Sequence, residues 1–344
     1  MMNEVAHRRW LEQTEEDVLD PQVPIIDAHH HLWHGYGKPV PWQPDYWYAE
    51  QGADIESGHN IVATVFVECG YNYVADTAPA LRPVGETRTI NAYAGSFGNT
   101  TKSSCKAAAA IVSFADLTLG SAVDATLEAH LDAAPERFRG IRQITPWDPS
   151  PEVRYPGFEI AEGLLLSEKF AAGFSRLNKY GLSFDVWLFH PQIPEVAELA
   201  RRFPDTTIIL DHFGGPIGIG PYEGKRKEIF KQWRHDVALV AQYPNVFAKL
   251  GGLWMEHAGF HWHARQTPPS ADALMEAGMD YYLQTIELFG PDRCMFESNF
   301  PVDKISCSYR TLWNYHKKIA AQFNSAERHA MFYETAKKVY RMDI

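Results

Sequence analysis

The sequence predicts an α/β protein built as a single-domain (β/α)8 TIM barrel, and three observations carry that prediction. Eight short apolar or β-branched runs recur along the 344 residues, separated by stretches of helical character. Several runs are apolar at nearly every position, as in the segments TTIIL and IVATVFV, which is how strands buried on both faces of a parallel sheet read. Polar residues stand at the end of nearly every run, where a barrel enzyme assembles its site. Length alone would allow two domains, but α/β barrels routinely exceed ~250 residues as one unit.

In chain order the candidate strands are Pro24–Ala28, Ile61–Glu68, Ala107–Phe114, Phe138–Ile144, Ser183–Phe189, Thr206–Asp211, Val246–Leu250 and Arg293–Ser298. Helices are expected over Asp124–Arg137, Ile160–Tyr180, Pro194–Phe203, Glu228–Tyr243, Ala271–Leu288 and Ser308–Phe323. Strand–helix alternation implies right-handed βαβ units, and eight of them suit a closed barrel better than an open sheet. A last helix, Ser325–Tyr340, is expected to dock outside the barrel. Residues 1–23 form an N-terminal extension and 24–344 the barrel domain. Three connections are long: Leu32–Asn60, Tyr71–Lys106 and Gly251–Ser270, the last carrying His257, His261 and His263. Long βα loops in a compact domain serve as lids or pocket walls, and these three histidines read as lid or surface residues.

The bulk numbers narrow the function classes. Hydrophobic residues make up 45% of the chain, enough for a large core, and the formal net charge of -11 comes with no Lys/Arg block. Nucleic acid is therefore not an expected partner. Cys69, Cys105, Cys294 and Cys307 form no C-x-x-C pair, so they read as free thiols in a reducing compartment. The first twenty residues lack the apolar core of a signal peptide, and no run approaches the ~20 apolar residues of a membrane span. The expected location is cytoplasmic, with no membrane partner.

The strand ends hold the chemistry. The first ends in Asp27, His29 and His31, the second in Glu68, and Asp116 follows the third. The fourth ends at Arg142 and Gln143, the fifth runs into His190, and the sixth ends in Asp211-His212. The seventh carries Lys249, and the eighth ends at Glu297-Ser298-Asn299 with Asp303 close behind. On a strand, residues two apart share a face, so His29 and His31 point together into the barrel mouth while His30 points away. Two imidazoles on one face suit a divalent metal. A solvated triple-histidine turn is the plain alternative, and the apolar run PIIDA just before it argues against that. Single histidines after strands, such as His190 and His212, are more often structural, and their value here lies in their register. Arg142 reads equally as an ion-pair partner or as a bidentate clamp on a carboxylate. Gly214-Gly215-Pro216 reads as a tight turn, not a phosphate loop.

The segments IIDAHHHLW, RGIRQITPWDP, WLFHPQIPEVAELARRFPDTTIILDHFGGP and MFESNFPVD resemble the amidohydrolase-related family. The resemblance runs from about Pro24 to Tyr340. Relatives there include sugar-lactone and pyrone-dicarboxylate lactonases and some decarboxylases. It implies that His29 and His31 are the first-strand pair, His190 the fifth-strand histidine and His212 the sixth. It also implies that Arg142 contacts a substrate carboxylate. His29, His31 and His190 are then the candidate metal ligands, for zinc or manganese, although some relatives work without metal. The family usually reads G-S-D-x-P on the eighth strand, whereas this chain has Glu297-Ser298-Asn299-Phe300-Pro301. Asn299 cannot act as a carboxylate base.

The catalytic candidates are therefore His190, His212, Asn299, Asp303 and Glu297, with His190 ranked first as base, then Asp303, then Glu297. Arg142, Glu68 and Gln143 are the substrate-binding candidates. The leading expectation is a hydrolase opening a lactone or similar cyclic ester of a small carboxylate. The alternatives are a metal-dependent decarboxylase on the same barrel and a catalytically weakened barrel that binds a small molecule. Barrels of this kind often self-associate, so a homo-oligomer is also an expectation.

Overall fold

In the computed structural model the protein is described over residues 3–35, 42–154 and 159–344. Eight strands run parallel in sequence order: β1 (Pro24–His30), β2 (Asn60–Val67), β3 (Lys106–Ser113), β4 (Phe138–Arg142), β5 (Ser183–Val186), β6 (Ile208–Leu210), β7 (Val246–Leu250) and β8 (Cys294–Phe296). Every expected strand is present, with ends shifted by a few residues. The barrel closes between β1 and β8. His31 N donates to Phe300 O at 2.8 Å and Asn299 N to His29 O at 2.9 Å.

One helix follows each strand: α2 (Tyr48–Ile55), α3 (Val84–Thr101), α4 (Asp124–Ala133), α5 (Glu168–Lys179), α6 (Ile193–Arg202), α7 (Arg226–Ala241), α8 (Ala271–Phe289) and α9 (Tyr309–Ala320). They follow α1 (Glu4–Leu11) of the N-terminal extension. Two of the long connections thus hold helices, α2 and α3, that the sequence reading leaves as loop. Helix α3 is hard to read because it contains Gly85, Gly95 and Gly98 and four threonines, all weak helix formers. Burial holds it: Ile90, Tyr93 and Phe97 line one face at helical spacing. The segment 36–41 of the first long connection lies outside the described residues. Helix α5 begins at Glu168 rather than near 160, because the Ser167 side chain caps it by accepting from Phe170 N.

The C-terminal stretch corrects a second expectation. It is broken into α10 (Ser325–His329), a π-turn over Ala330–Glu334 and α11 (Thr335–Val339), and it does not lie outside the barrel. Ala336, Val339, Tyr340 and Met342 pack with the interior residues Ile26, Val65, Ala110, Ile209, Phe247 and Met295, plugging the N-terminal end. The N-terminal extension packs on the segment after β7. Trp10 Nε1 donates to Arg265 O at 3.1 Å and Thr14 Oγ1 to Pro268 O at 3.0 Å. No disulfide joins the four cysteines. Among the described residues no helix is long and apolar enough to cross a membrane.

Alternation along the strands sorts the side chains. Phe184, Val186, Ile208, Leu210, Ala248 and Leu250 face the surrounding helices. Their neighbours point inward: apolar below (Ile209, Phe247, Met295) and charged above (Asp211, Lys249, Glu297). The charged tier is the floor of the site.

Candidate active site

The first-strand cluster owes its geometry to an extra residue. Asp27 pairs with Thr64 and His30 with Phe66, so β1 spends three residues where β2 spends two. His29 and His31 meet in the mouth with Nε2 atoms 3.2 Å apart. His30 turns outward, its Nε2 2.8 Å from Thr64 Oγ1 and its Nδ1 3.0 Å from Gln51 Nε2. Asp27 is structural: it accepts from Ser298 N (2.8 Å), Ser298 Oγ (2.6 Å) and Tyr309 OH (2.9 Å), stitching β1 to β8.

Opposite this pair, His212 and Glu297 meet, with His212 Nδ1 2.6 Å from Glu297 Oε1. Glu297 Oε2 lies 3.1 Å from His29 Nδ1, so one carboxylate spans two histidines from different strands. Two glycines make room. A Cβ on Gly251 would sit 2.4 Å from Glu297 Cγ, and one on Gly252 would sit 2.2 Å from His212 Nδ1. His212 itself holds a φ of 53°, a costly conformation for a side-chain-bearing residue.

Below lies a fully buried ion cluster. Lys249 Nζ is 2.6 Å from Asp185 Oδ2, 3.0 Å from Asp211 Oδ1 and 3.0 Å from His29 Nδ1. Tyr340, arriving from the C-terminal plug, donates to Asp185 Oδ2 at 2.7 Å. Burial alone would lower the Lys249 pKa, but Asp185 and Asp211 outweigh it and hold the value up. Burial drives His29 and His31 well below the ordinary imidazole value, and His212 to about 3. All three rings are neutral at pH 7. Glu297 moves the other way: burial raises it well above the usual carboxyl range, with Lys249 opposing.

The remaining candidates scatter. Arg142 donates from Nε to Glu68 Oε1 at 2.9 Å and from Nη2 to Glu68 O, which leaves Nη1, 3.4 Å from His29 Nε2. Two edges of the fork are spent on Glu68, so Arg142 offers a ligand one nitrogen rather than a bidentate grip. Gln143 Oε1 accepts from Leu117 N at 3.0 Å, a loop tie. Asn299 Nδ2 donates to Asp303 Oδ1 at 2.9 Å, while Trp254 N donates to Asp303 Oδ2 at 3.2 Å. Asp303 is thus occupied from both sides. His190 Nδ1 accepts from Ile217 N at 3.3 Å, and its ring lies against Tyr222. Burial lowers its pKa to about 4.

Among the described residues, the side chains that converge as metal ligands are His29, His212 and Glu297, with donor atoms all within 4.8 Å of one another. His31 and His190 fall outside that set. The surroundings suit a divalent cation on charge as well. Among the described residues, the carboxylates Glu68, Asp185, Asp211 and Glu297 face the cations Lys249 and Arg142, and Asp211 Oδ2 has no hydrogen-bond donor. The sequence points to Glu297 weakly, by strand parity, and gives no partner for Lys249. It leaves Asp185 unread, although a lone aspartate inside the run Ser183–Val186 is itself a signal of an inward-facing group.

Comparison with known proteins gives a consistent picture. Residues 26–342 match the family described as Amidohydrolase. An uncharacterized Sinorhizobium fredii protein, y4mH, is 32% identical over 93% of this chain and 99% of its own length. An L-fucono-1,5-lactonase from Burkholderia ambifaria is 25% identical, covering 82% of this chain and 81% of its own. Among solved structures, a Burkholderia multivorans amidohydrolase crystallised with bound zinc superposes with a TM-score of 0.68 at 22% identity, over 92% of this chain and 99% of its own.

Proposed function

This chain belongs to the amidohydrolase family, and on that premise we propose that it opens a lactone or similar cyclic ester of a small carboxylate by attack of water. The observation that carries the reading is the convergence of His29, His212 and Glu297 at the C-terminal end of the barrel, where these folds do their chemistry. The L-fucono-1,5-lactonase relative supports a lactone, and the zinc-bound fold relative supports a metal.

In this reading His29, His212 and Glu297 hold a divalent cation, zinc or manganese, which when bound polarises the ester carbonyl and acidifies water. Glu297 is the base, in place of the aspartate usual two residues later. His190 and His212, with pKa values lowered by burial to about 4 and 3, are weak bases, which leaves Glu297 as the carboxylate within reach of both His29 and His212. Glu297, held through Oε1 by His212, takes the proton of the attacking water and passes it to the departing ring oxygen as the acyl C–O bond breaks. Arg142 Nη1 steadies one substrate oxygen, and Glu68 fixes the guanidinium from behind. Lys249 holds His29 and Asp211 in place from below.

The test is a lactone panel followed with a pH indicator. Each ring opening yields a carboxylic acid and so releases one proton at neutral pH. Ring opening of at least one lactone of a small carboxylate supports the reading. Release of CO2 from an aromatic acid with no lactone turned over replaces it with the decarboxylase.

A further inference from the structure

A cavity of about 250 Å³ lies beside the barrel, where α1 of the N-terminal extension meets α2, the loop after β1 and the turn after β8. It shares no lining residue with the His29, His212 and Glu297 centre. It is far roomier than the ~15 Å³ that one water needs, and just under the ~300 Å³ at which drug-sized sites begin. That size suits a small organic molecule.

Two buried side chains on its wall carry polar atoms without partners. His7, on α1, is 2% exposed, and Trp42, on the loop after β1, is 8% exposed. Among the described residues neither His7 Nε2 nor Trp42 Nε1 has a hydrogen-bond partner. The His7 ring is held by two indoles, its centroid 5.7 Å from that of Trp10 and 6.5 Å from that of Trp42. Burial lowers the His7 pKa to about 4, so at pH 7 the ring is neutral and offers one donor and one acceptor. The indole N–H can only donate. A buried polar atom without a partner is costly, and phenylalanine at either position would avoid that cost. The arrangement makes sense when a bound molecule supplies the partners.

Four charged side chains also line the cavity: Glu4, Glu50, Arg8 and Lys304. Two of them are committed. Lys304 Nζ lies 2.8 Å from Asp54 Oδ2, and Glu50 Oε2 accepts from Trp47 N at 3.0 Å. Glu4 and Arg8 stand one turn apart on α1, and among the described residues neither is in an ion pair. A lone carboxylate here would meet Glu4 and Glu50, and a lone amine would meet Arg8 and Lys304, like-charge contacts that disfavour both. A molecule carrying the two charges on neighbouring atoms matches the lining. Leu11, Ala49 and Ala53 add an apolar wall for the rest of it.

We propose that this cavity binds an α-amino acid with an apolar side chain. Its carboxylate accepts from Trp42 Nε1 and Arg8, its ammonium donates to Glu4 and His7 Nε2, and its side chain packs on Leu11, Ala49 and Ala53. The bound molecule bridges α1 to α2 and to the loop after β1, and so clamps the N-terminal extension to the barrel. The site is independent of the lactone-opening reading.

The test is calorimetric titration of the full chain with L-leucine, L-methionine and L-phenylalanine. The tightest of the three is then compared with the carboxylate that lacks its amine and the amine that lacks its carboxylate. The amino acid is expected to bind at least tenfold tighter than either analogue. Trp42→Phe and His7→Phe should each weaken it at least fivefold. Ligand-free His7→Phe should unfold at or above the wild-type Tm, which a purely structural histidine would not allow. Glu4→Gln should bring the amino acid within threefold of its carboxylate analogue. The proposal is overturned if none of the three amino acids binds with a Kd below about 1 mM. It is also overturned if an analogue binds as tightly as the amino acid, or if the affinity survives in Trp42→Phe or His7→Phe. Where those two variants do not fold, Glu4→Gln decides: an unchanged advantage over the carboxylate analogue overturns the proposal and a lost one supports it.

Discussion

Replacing Asn299 with aspartate restores the usual residue of the family, and the structure predicts that the change harms the protein. Asn299 Nδ2 donates to Asp303 Oδ1 across 2.9 Å, and both residues are almost wholly buried. Asn299→Asp turns that bond into two facing carboxyls. With both ionised at this separation the repulsion is about 6 kcal/mol at an effective dielectric of ~20. Keeping one proton on the pair at pH 7 costs about 4 kcal/mol relative to an unfolded carboxyl titrating at ~3.9. The second cost is smaller, so the folded variant holds a proton between the two groups. Burial already pushes Asp303 well above the ordinary carboxyl value, and the Asn299 amide is what opposes it. A folded-state pKa raised above the unfolded one gives stability that is present at low pH and lost as pH rises. Between ~3.9 and the raised value the variant loses about 1.4 kcal/mol per pH unit beyond wild type, or at most about 3 kcal/mol from pH 5.5 to 8. The assay is thermal unfolding of both proteins at the two pH values. The Tm gap should widen by up to roughly 4 °C at pH 8. A gap that stays constant with pH, or a variant with raised hydrolytic activity, would refute the reasoning.

Three further outcomes follow from the same geometry. Gly252→Ala would place a Cβ 2.2 Å from His212 Nδ1 at a φ of +69°, so His212 must leave Glu297. Zinc affinity by calorimetry should fall roughly 10–100-fold in a chain that still gives a barrel circular-dichroism spectrum. Arg142→Lys keeps the charge but cannot reproduce the Nε and Nη2 bonds to Glu68 while leaving a nitrogen beside His29. Its KM for a carboxylate-bearing lactone should rise about tenfold or more, and unchanged steady-state constants would make Arg142 purely structural. Asp27→Ala strands Ser298 N, Ser298 Oγ and Tyr309 OH at the β1–β8 seam, and denaturant titration should show a loss of about 3–5 kcal/mol.

The strands are legible in the sequence because burial on both faces writes itself as unbroken apolar runs, and the first-strand histidines because parity is local. What the sequence hides depends on contacts between distant residues. Helix α3 is held by Tyr93 and Phe97 against the core, and its glycines conceal it. Glu297 ranks last among the candidate bases in the sequence, and it meets His29 and His212 because Gly251 leaves space for Glu297 and Gly252 for His212. His257 sits in a Gly-flanked loop that looks like lid surface, and its burial comes from Trp187 and Phe189, some seventy residues earlier in the chain. Lys249 is visible as a strand-exit cation, but nothing local reveals Asp185, Asp211 and His29 around it. The terminal plug is invisible for the same reason: Tyr340 ends an ordinary amphipathic helix until the barrel floor is in view.

The central claim is that Glu297, rather than residue 299, does the carboxylate chemistry of this barrel. It is tested most directly by comparing lactone turnover of the wild type with Glu297→Gln, at matched zinc occupancy and with folding checked by circular dichroism. The account predicts that kcat falls at least a hundredfold while KM changes little, because glutamine keeps the shape and the contact with His212 but cannot carry a proton from water to the leaving oxygen. A Glu297→Gln enzyme that turns over lactone at the wild-type rate would contradict it.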